Sequence, residues 1–328
     1  MRPSVLVTGG AGYIGSHTCK ALSEAGWSPV AYDNLSGGHD WAVRWGPLEQ
    51  GDVRDRQRLI EVMRLHHPVG VIHLAGLVDC RLDANTPLDF FDVNVGGTIA
   101  LLQAMAAAGI PHLVYSSSAA VYGLGEFSPA DEAHPVAPLN PFGRSKWVAE
   151  QIIADVGRDT GLSWTCLRYF NVAGADPAGE IGEAHHPETH LIPVAIEVAM
   201  QRRAAFLLFG RDHDTPDGTC MRDYVHVGDV AAANILALRR MMDGGWPLTL
   251  NVGTGEGWSV RQVLQQVERV SGQIVPVLVR DRRSGDPASL VGECSRARSL
   301  LDWKPVRSAL PMMVEDAWRW HTQPQRLT

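Results

Sequence analysis

The stretch VLVTGGAGYIGSH, residues 5–17, decides the fold. Its apolar VLV run predicts a strand, and Gly9, Gly12 and Gly15 follow directly at the start of a predicted helix. In this arrangement the first glycine permits a tight turn, the second lets the backbone approach a pyrophosphate, and the third lets helix and strand pack closely. A second predicted strand ends in Asp33, where a carboxylate can hold a ribose 2′-hydroxyl and repel a 2′-phosphate. The stretch therefore predicts a dinucleotide site that prefers NAD to NADP.

Outward from this stretch, apolar β-branched runs alternate with helical segments through the first half of the chain. Strands are predicted at 5–7, 29–33, 69–76, 112–118 and 163–172, with a further one ending near 52, and helices at 13–25, 55–66, 87–108 and 141–159. Such alternation is typical of βαβ units and a parallel sheet. We predict an α/β fold: a Rossmann-type, doubly wound parallel sheet over residues 1–172.

The amino-acid composition changes after residue 172, where frequent Gly, Pro, Asp and Glu residues predict a long loop up to about residue 190. Beyond it we predict a strand at 206–209, a polar loop at 210–220, and helices near 191–203, 228–242, 259–271 and 308–321. Residues 173–328 are thus expected to form a smaller α/β substrate domain, with the option that later segments return to the first sheet.

Composition excludes several classes of protein. The 328-residue chain carries a net charge of −7, so it lacks the basic surface of a nucleic-acid-binding protein. Its five scattered cysteines form no C-x-x-C pair, which favours reduced thiols. The N-terminus lacks the layout of a signal peptide, and no unbroken apolar run approaches the roughly 20 residues of a membrane span. We expect a cytoplasmic protein with no membrane or nucleic-acid partner.

Thirteen histidines raise the question of a metal. Two pairs of histidines are adjacent: His66 and His67 end a predicted helix, and His185 and His186 lie in the polar loop, where no carboxylate–histidine spacing of a known site surrounds them. We interpret them as solvated and predict no metal site.

Motifs along nearly the whole chain resemble the extended short-chain dehydrogenase/reductases, and within them the UDP-galactose 4-epimerases. They are GGAGYIGSH, YDNLSGGH, GDVRD, HLAGL, NVGGT, SSSAAVYG, RYFNVAGADPAGEIGE, THLIP, DGTCMRDYVHV, NVGTGEGWSV and RRSGDP. The resemblance implies NAD as cofactor, a UDP-sugar as substrate and inversion at C4 through a 4-keto sugar. It also implies a homodimer through the helices at 87–108 and 141–159, although burial in the core explains their apolar faces equally well.

The same resemblance assigns binding residues. For NAD it implies Gly9, Gly12, Tyr13, Ile14, Gly15, Asp33, Asn34, Leu35, Asp52, Val53, Leu74, Ala75, Gly76, Asn94, Ser116, Lys146 and Tyr169. For the UDP-sugar it implies Ser118, Asn171, His190, Leu191, Leu207, Phe209, Arg222, Arg283 and Asp286. The two arginines suit a diphosphate, because a guanidinium binds its oxygens bidentately.

The catalytic stretch departs from the family at one position. In that family a Tyr takes the proton of the sugar 4-hydroxyl, assisted by a Ser and a Lys. Here Ser118 and Lys146 match, but Phe142 stands in place of the Tyr. Phenylalanine carries no hydroxyl, and losing one acid–base group typically costs about 10²–10⁴ in rate.

Two origins of Phe142 stay open: a Tyr→Phe change made to trap bound ligands, or natural divergence. Divergence is favoured by Val78, where the family has Lys, within the altered stretch VDCRLDAN (78–85), and by Glu293, where it tends to have Asp. Replacement bases to consider are Lys146, if its pKa is depressed, and Tyr122.

Three alternative functions remain to be weighed. A catalytically silent binder of NAD and UDP-sugar, or an epimerase of another UDP-sugar, fits the same motifs. A sugar 4,6-dehydratase is disfavoured, because Ala119 and Ala120 stand where it needs an acid pair and no carboxylate follows until Glu126.

Overall fold

The main element of the fold is a seven-stranded parallel sheet, seen in a computed structural model that describes residues 2–78, 86–124, 129–283 and 285–323. Its strands are β1 (Ser4–Thr8), β2 (Ser28–Asp33), β3 (Leu48–Gln50), β4 (Gly70–His73), β5 (His112–Ser118), β6 (Ser163–Tyr169) and β10 (Leu248–Val252). The order across the sheet is β10-β6-β5-β4-β1-β2-β3. This is the doubly wound order, in which the chain changes direction between β1 and β4 and opens a crevice at the carboxyl ends of those strands.

Helices cover both faces of the sheet. They are α1 (Tyr13–Glu24), α2 (Arg56–His66), α3 (Pro87–Phe90), α4 (Gly97–Ala108), α5 (Pro141–Thr160) and α7 (Val227–Met242). On one face α1 packs beside α7, and on the other α2 packs beside α4 and α5. All four residues of β4 are buried, and its adjacent Val71 and Ile72 do not alternate with polar residues. The predicted Rossmann-type fold is confirmed.

One helix meets the length and composition of a membrane span. From Pro87 to Ala108 the chain is helical for 22 residues, with one π-helical segment at Phe91–Gly96 and a mean hydropathy of 1.3 in its most apolar window. Half of that window is buried inside the protein, where Leu101 and Met105 pack in the sheet core. We therefore interpret this segment as a core helix of an α/β fold.

A smaller unit lies beyond the sheet. Its strands are β7 (Asn171–Ala173), β8 (Phe206–Phe209), β9 (Met221–His226), β11 (Gly257–Ser259), β12 (Val277–Arg280) and β13 (Ser289–Leu290). Its helices are α6 (Leu191–Ala199), α8 (Val260–Ser271) and α10 (Leu310–Thr322), which share an apolar core, while α9 (Ser295–Leu301) packs on α7. Strand β9 pairs with β7, β11 and β13, and β8 pairs with β12.

Two predicted elements need correction. The stretch 163–172 is two strands: β6 belongs to the main sheet, and β7 pairs with β9 in the smaller unit. The break falls at the buried Phe170, whose N–H donates to the Val252 carbonyl and turns the chain from one sheet to the other. The predicted strand 69–76 ends at His73, which frees Leu74–Gly76 to line the crevice.

Segments after residue 172 return to the first sheet. Helix α7 covers one face of it, and β10 pairs in parallel with β6 along its edge. The nucleotide half of the molecule is therefore completed by residues that come late in the chain.

Candidate active site

The glycine turn fits a pyrophosphate. Gly9 has a φ of +71°, and a Cβ there would lie 2.7 Å from the Ala75 nitrogen, so a side chain is excluded. Gly15 packs directly on the Gly9 backbone. Helix α1 begins after Gly12, which has no side chain to cap the first N–H groups. These N–H groups and the positive end of the helix are left to bind an anion.

Asp33 lies beside this turn at the end of β2. Its Oδ2 accepts from the Ala11 N–H at 3.0 Å and its Oδ1 from the Leu35 N–H at 2.8 Å. The carboxylate is thereby fixed at the switch point, where a ribose hydroxyl would reach it. Farther along the edge, the Asp52 carboxylate accepts hydrogen bonds from Arg54 and, at 3.0 Å, from Asn34 Nδ2. The hydrogen bond from Arg54 lowers the pKa of Asp52.

The other predicted cofactor residues line the same crevice or support it. Tyr13 and Ile14 open α1, Val53 packs on Gly97, and Leu74, Ala75 and Gly76 follow β4. Asn94 is buried, accepts from the Leu77 N–H at 2.7 Å and donates to Ser145 Oγ at 2.9 Å. Tyr169 is also buried and donates to Asn234.

Lys146 joins the cofactor crevice to the catalytic stretch. It lies on α5, which begins at a cap where the Asn140 side chain accepts from the Gly143 N–H and Pro141 occupies the first turn. From there Nζ donates to the Ser116 carbonyl at 2.8 Å and lies 5.9 Å from the centre of the Phe142 ring. Burial lowers the pKa of Lys146 to about 8, although Glu150 raises it.

Ser118 ends β5 at the same edge. Its Oγ accepts from the Ala120 N–H at 3.1 Å, and Gly143 of α5 packs against the Ala120 carbonyl. The structure therefore places Ser118 and the first turns of α5, with Phe142 and Lys146, at one edge of the sheet. Phe142 packs edge-on against Phe90 of α3, with ring centres 6.5 Å apart.

Tyr122 is occupied by other contacts. It is buried, its hydroxyl donates to Asn251 Oδ1 at 2.6 Å and accepts from Arg168 at 3.0 Å, and burial raises its pKa to about 12. These contacts favour a packing role and disfavour Tyr122 as a replacement base.

A buried ion pair supports the catalytic edge and was not predicted from the sequence. Arg168 on β6 donates twice to Glu150 on α5, at 3.0 and 2.7 Å, and the Ser117 hydroxyl donates to the same carboxylate. The two charged side chains are 4% and 3% exposed, so the pair is closed to water. Ser117 precedes Ser118, and the pair therefore ties the end of β5 to α5.

The predicted substrate residues gather in the smaller unit. Arg222 on β9 pairs with Asp286, whose N–H donates to the Arg283 carbonyl at 3.3 Å. The Arg283 guanidinium lies 3.8 Å above the centre of the Phe209 ring, on β8, where Leu207 is half-exposed. Two guanidinium groups beside an aromatic ring suit a nucleoside diphosphate, which has an anionic diphosphate and a planar base. Asn171 begins β7, and His190 and Leu191 begin α6.

The interpretation of His185 as solvated needs correction, because its side chain is partly buried against a carboxylate. Glu183 Oε1 lies 3.0 Å from His185 Nδ1 and 2.7 Å from His190 Nδ1, and Glu188 Oε1 lies 2.9 Å from His190 Nδ1. Along the chain each glutamate stands two residues before a histidine, and the path of the loop brings the two Glu-x-His units together. His186 is exposed and fits the prediction.

Some predicted features fall outside the described residues, namely residues 79–85, with Cys80, and Glu126. The other four cysteines are free and buried.

With this geometry in place, comparison with known proteins identifies the family. The model of the NAD dependent epimerase/dehydratase family matches residues 5–253. The chain belongs to that family. Within the family it is 48% identical over 320 residues to a UDP-glucose 4-epimerase of Rhizobium meliloti (strain 1021), covering 98% of this chain and 97% of the relative.

Solved structures of family members have the same fold. A UDP-glucose 4-epimerase from Brucella ovis, in complex with NAD, superimposes with a TM-score of 0.94 at 44% identity, over 96% of this chain and 97% of the other. A UDP-glucose 4-epimerase from Bifidobacterium longum, in complex with NAD⁺ and UDP, gives a TM-score of 0.90 at 33% identity, over 97% and 98%.

Proposed function

We propose that this chain is an NAD-dependent epimerase that inverts C4 of a UDP-hexose, UDP-glucose or UDP-galactose, and that Phe142 slows it. One observation carries the proposal: the glycine turn with Asp33, Lys146 and Ser118 all lie at the carboxyl edge of one parallel sheet. Relatives at 42–48% identity over nearly the full chain are UDP-glucose 4-epimerases.

NAD fits the residues of the crevice. The uncapped N–H groups after Gly12 would hold its pyrophosphate, Asp33 its adenosine ribose, and Lys146 its nicotinamide ribose. When bound, NAD supplies the acceptor and donor of the C4 hydride. The sheet residues only hold and orient it.

Ser118 and α5 act on the sugar itself. The Ser118 hydroxyl orients O4 by a hydrogen bond, and a base must remove the O4 proton as the C4 hydrogen leaves. Residue 142 lies in the first turn of α5, where the positive end of the helix dipole stabilises an anion such as a phenolate. A Tyr at this position would be the base. Phenylalanine keeps the packing with Phe90 and loses the proton transfer.

Lys146 is the group that can carry residual proton transfer. Its amine has a pKa of about 8, lowered by burial, so a part of it is neutral near physiological pH. This role is slower than that of a Tyr, because the amine also serves the cofactor.

The UDP moiety would lie in the smaller unit. Arg222 and Arg283 would bind the diphosphate, Asp286 the uridine ribose, and Phe209 with Leu207 the uracil face. We propose that the main sheet and its helices, including α7 and β10 from beyond residue 172, hold NAD, and that the smaller unit holds the UDP-sugar. A cytoplasmic homodimer that pairs through α4 and α5 completes the proposal.

A second candidate is a silent binder of NAD and UDP-sugar. It is favoured by Phe142 together with Val78, since two groups that the family uses at the reacting edge are absent. An epimerase of another UDP-sugar differs only in the pocket around the hexose.

The test compares three forms of the protein: the chain as it stands, Phe142→Tyr, and Phe142→Leu as a control without a hydroxyl. Conversion of UDP-galactose to UDP-glucose is followed, and NAD is measured after denaturation. We expect Phe142→Tyr to raise turnover by about 10²-fold or more and Phe142→Leu not to raise it. Full NAD and UDP binding with no turnover in all three forms would replace the epimerase by the silent binder.

A further inference from the structure

The loop at 174–190 carries a cluster of four potential metal ligands between the cofactor and substrate sides. Glu183, His185, Glu188 and His190 each offer one ligand atom, and these atoms all lie within 4.8 Å of one another. A tetrahedral zinc site needs ligand atoms roughly 3.4 Å apart, given zinc–ligand distances of about 2.0–2.2 Å. Three of the six separations are hydrogen-bond distances of 2.7, 2.9 and 3.0 Å, and the others lie within 4.8 Å, so the required spacing falls inside the observed range.

The charge of the cluster calls for a cation. The side chains of Glu183 and Glu188 are 5% and 4% exposed. Among the residues that the structure describes, their only ion-pair partners are His185 and His190. Glu188 Oε1 also accepts from the N–H groups of Thr189 and His190, at 2.7 and 2.8 Å. Buried carboxylates are ordinarily paired with a full positive charge or a metal. Imidazole nitrogens facing two carboxylates form the mixed donor set that zinc accepts.

We propose that Glu183, His185, Glu188 and His190 bind one Zn²⁺ ion, which fixes the loop that joins the two halves of the site. The ion takes the place of the protons now shared between the imidazole Nδ1 atoms and the carboxylates. Four protein ligands close the coordination sphere, so the ion is structural and takes no part in hydride or proton transfer.

The contacts of the loop show what such an ion would fix. Tyr13, at the start of α1, donates to the Gly174 carbonyl at 2.6 Å, and His39 contacts the Ala184 carbonyl at 2.9 Å. On the other side Trp320 of α10 donates to the Glu183 carbonyl at 2.8 Å. The cluster is therefore anchored to the glycine turn and to the smaller unit at once. His190 binds through Nδ1, which leaves its other nitrogen free for the substrate.

The first experiment measures metal directly on untagged full-length protein. After removal of metal with a chelator, the protein is titrated with Zn²⁺ against a chromophoric competitor, and separately with Co²⁺, whose visible spectrum reports tetrahedral nitrogen–oxygen ligation. We expect one ion per chain, a tetrahedral cobalt spectrum, and a higher unfolding temperature with Zn²⁺ than without. An absence of stoichiometric binding and of the cobalt spectrum would overturn the proposal.

Neighbouring histidines supply a matched control. His185→Gln removes a ligand, whereas His186→Gln changes an exposed imidazole one residue away. We expect the first to weaken Zn²⁺ binding by at least about 10- to 100-fold and the second to leave it unchanged. Equal affinity in both variants would place the ion elsewhere and refute the assignment. If His185→Gln does not fold, Glu183→Gln replaces it, and the cobalt spectrum of the unaltered chain still decides.

None of these measurements depends on turnover. A chain that fails as an epimerase but binds one Zn²⁺ would overturn the proposed function alone. A chain that epimerises UDP-galactose but takes up no stoichiometric Zn²⁺ in the titration would overturn the zinc site alone.

Discussion

The buried pair of Glu150 and Arg168 allows a sharp test of the structure through Glu150→Gln. The carboxylate accepts two hydrogen bonds from Arg168 and one from Ser117. A Gln oxygen can keep one bond to the guanidinium, but the Gln amide group then points its own N–H groups at the other guanidinium donor. The change also leaves Arg168 as a buried cation without a counter-charge.

The magnitude follows from these contacts. Removing one member of a buried ion pair costs about 3–5 kcal/mol, because the remaining charge stays out of water. Native domains are stable by only about 5–15 kcal/mol, so the loss takes a large part of the total. The control is Asp155→Asn on the same helix, where the pair with Arg158 is 69% and 79% exposed and solvent screens the charges. We expect that change to cost less than about 1 kcal/mol.

Urea unfolding, followed by circular dichroism and by tryptophan fluorescence, measures both free energies. A further variant, Glu150→Met with Arg168→Met, removes both charges, and we expect it to be more stable than Glu150→Gln. If Glu150→Gln and Asp155→Asn unfold within about 1 kcal/mol of each other, Glu150 and Arg168 are not the closed pair described here, and the reasoning fails.

Three further predictions concern the site. Turnover by the unaltered chain is expected to rise with pH through about 8, because the neutral amine of Lys146 is the proposed base, and a flat initial-rate profile would remove Lys146 from that role. Arg222→Met is expected to weaken UDP binding by about 10-fold or more in calorimetry, through the loss of a charged hydrogen bond to the diphosphate, with unchanged NAD content. Asp33→Asn is expected to raise the dissociation constant of NAD by about 10- to 100-fold, as measured by cofactor retention on dialysis, while UDP affinity stays constant.

Sequence reasoning reached the nucleotide half because its signals are local. A buried parallel strand is an apolar run, and a glycine turn has a fixed spacing. Lys146 and Ser118 were placed by the motifs around them. The hydrogen bonds of these two residues to Ser116 and Ala120 could not be predicted, because they depend on how the strand and helix pack.

The remainder depends on contacts between distant segments. Strand β7 contains only three residues and exists because β9 lies beside it. Nothing in the local pattern of residues 171–173 distinguishes them from the end of β6. The cluster around Glu183 was missed for a related reason: its repeated Glu-x-His spacing lies in a loop of Gly and Pro, which predicts exposure rather than burial.

The late return of β10 to the main sheet has a consequence for synthesis on the ribosome. Strand β6 is complete at Tyr169 and pairs with β5 on one side, but its partner on the other side begins only at Leu248, after β7, β8 and β9 of the smaller unit have been made. Until then the nascent chain holds an unpaired sheet edge, the kind of surface that recruits other chains. The cofactor half cannot finish folding first as an independent N-terminal unit does. We therefore expect the nascent chain to bind NAD only once β10 has left the exit tunnel. The unpaired edge of β6 stays exposed for as long as the ribosome takes to translate residues 170–252.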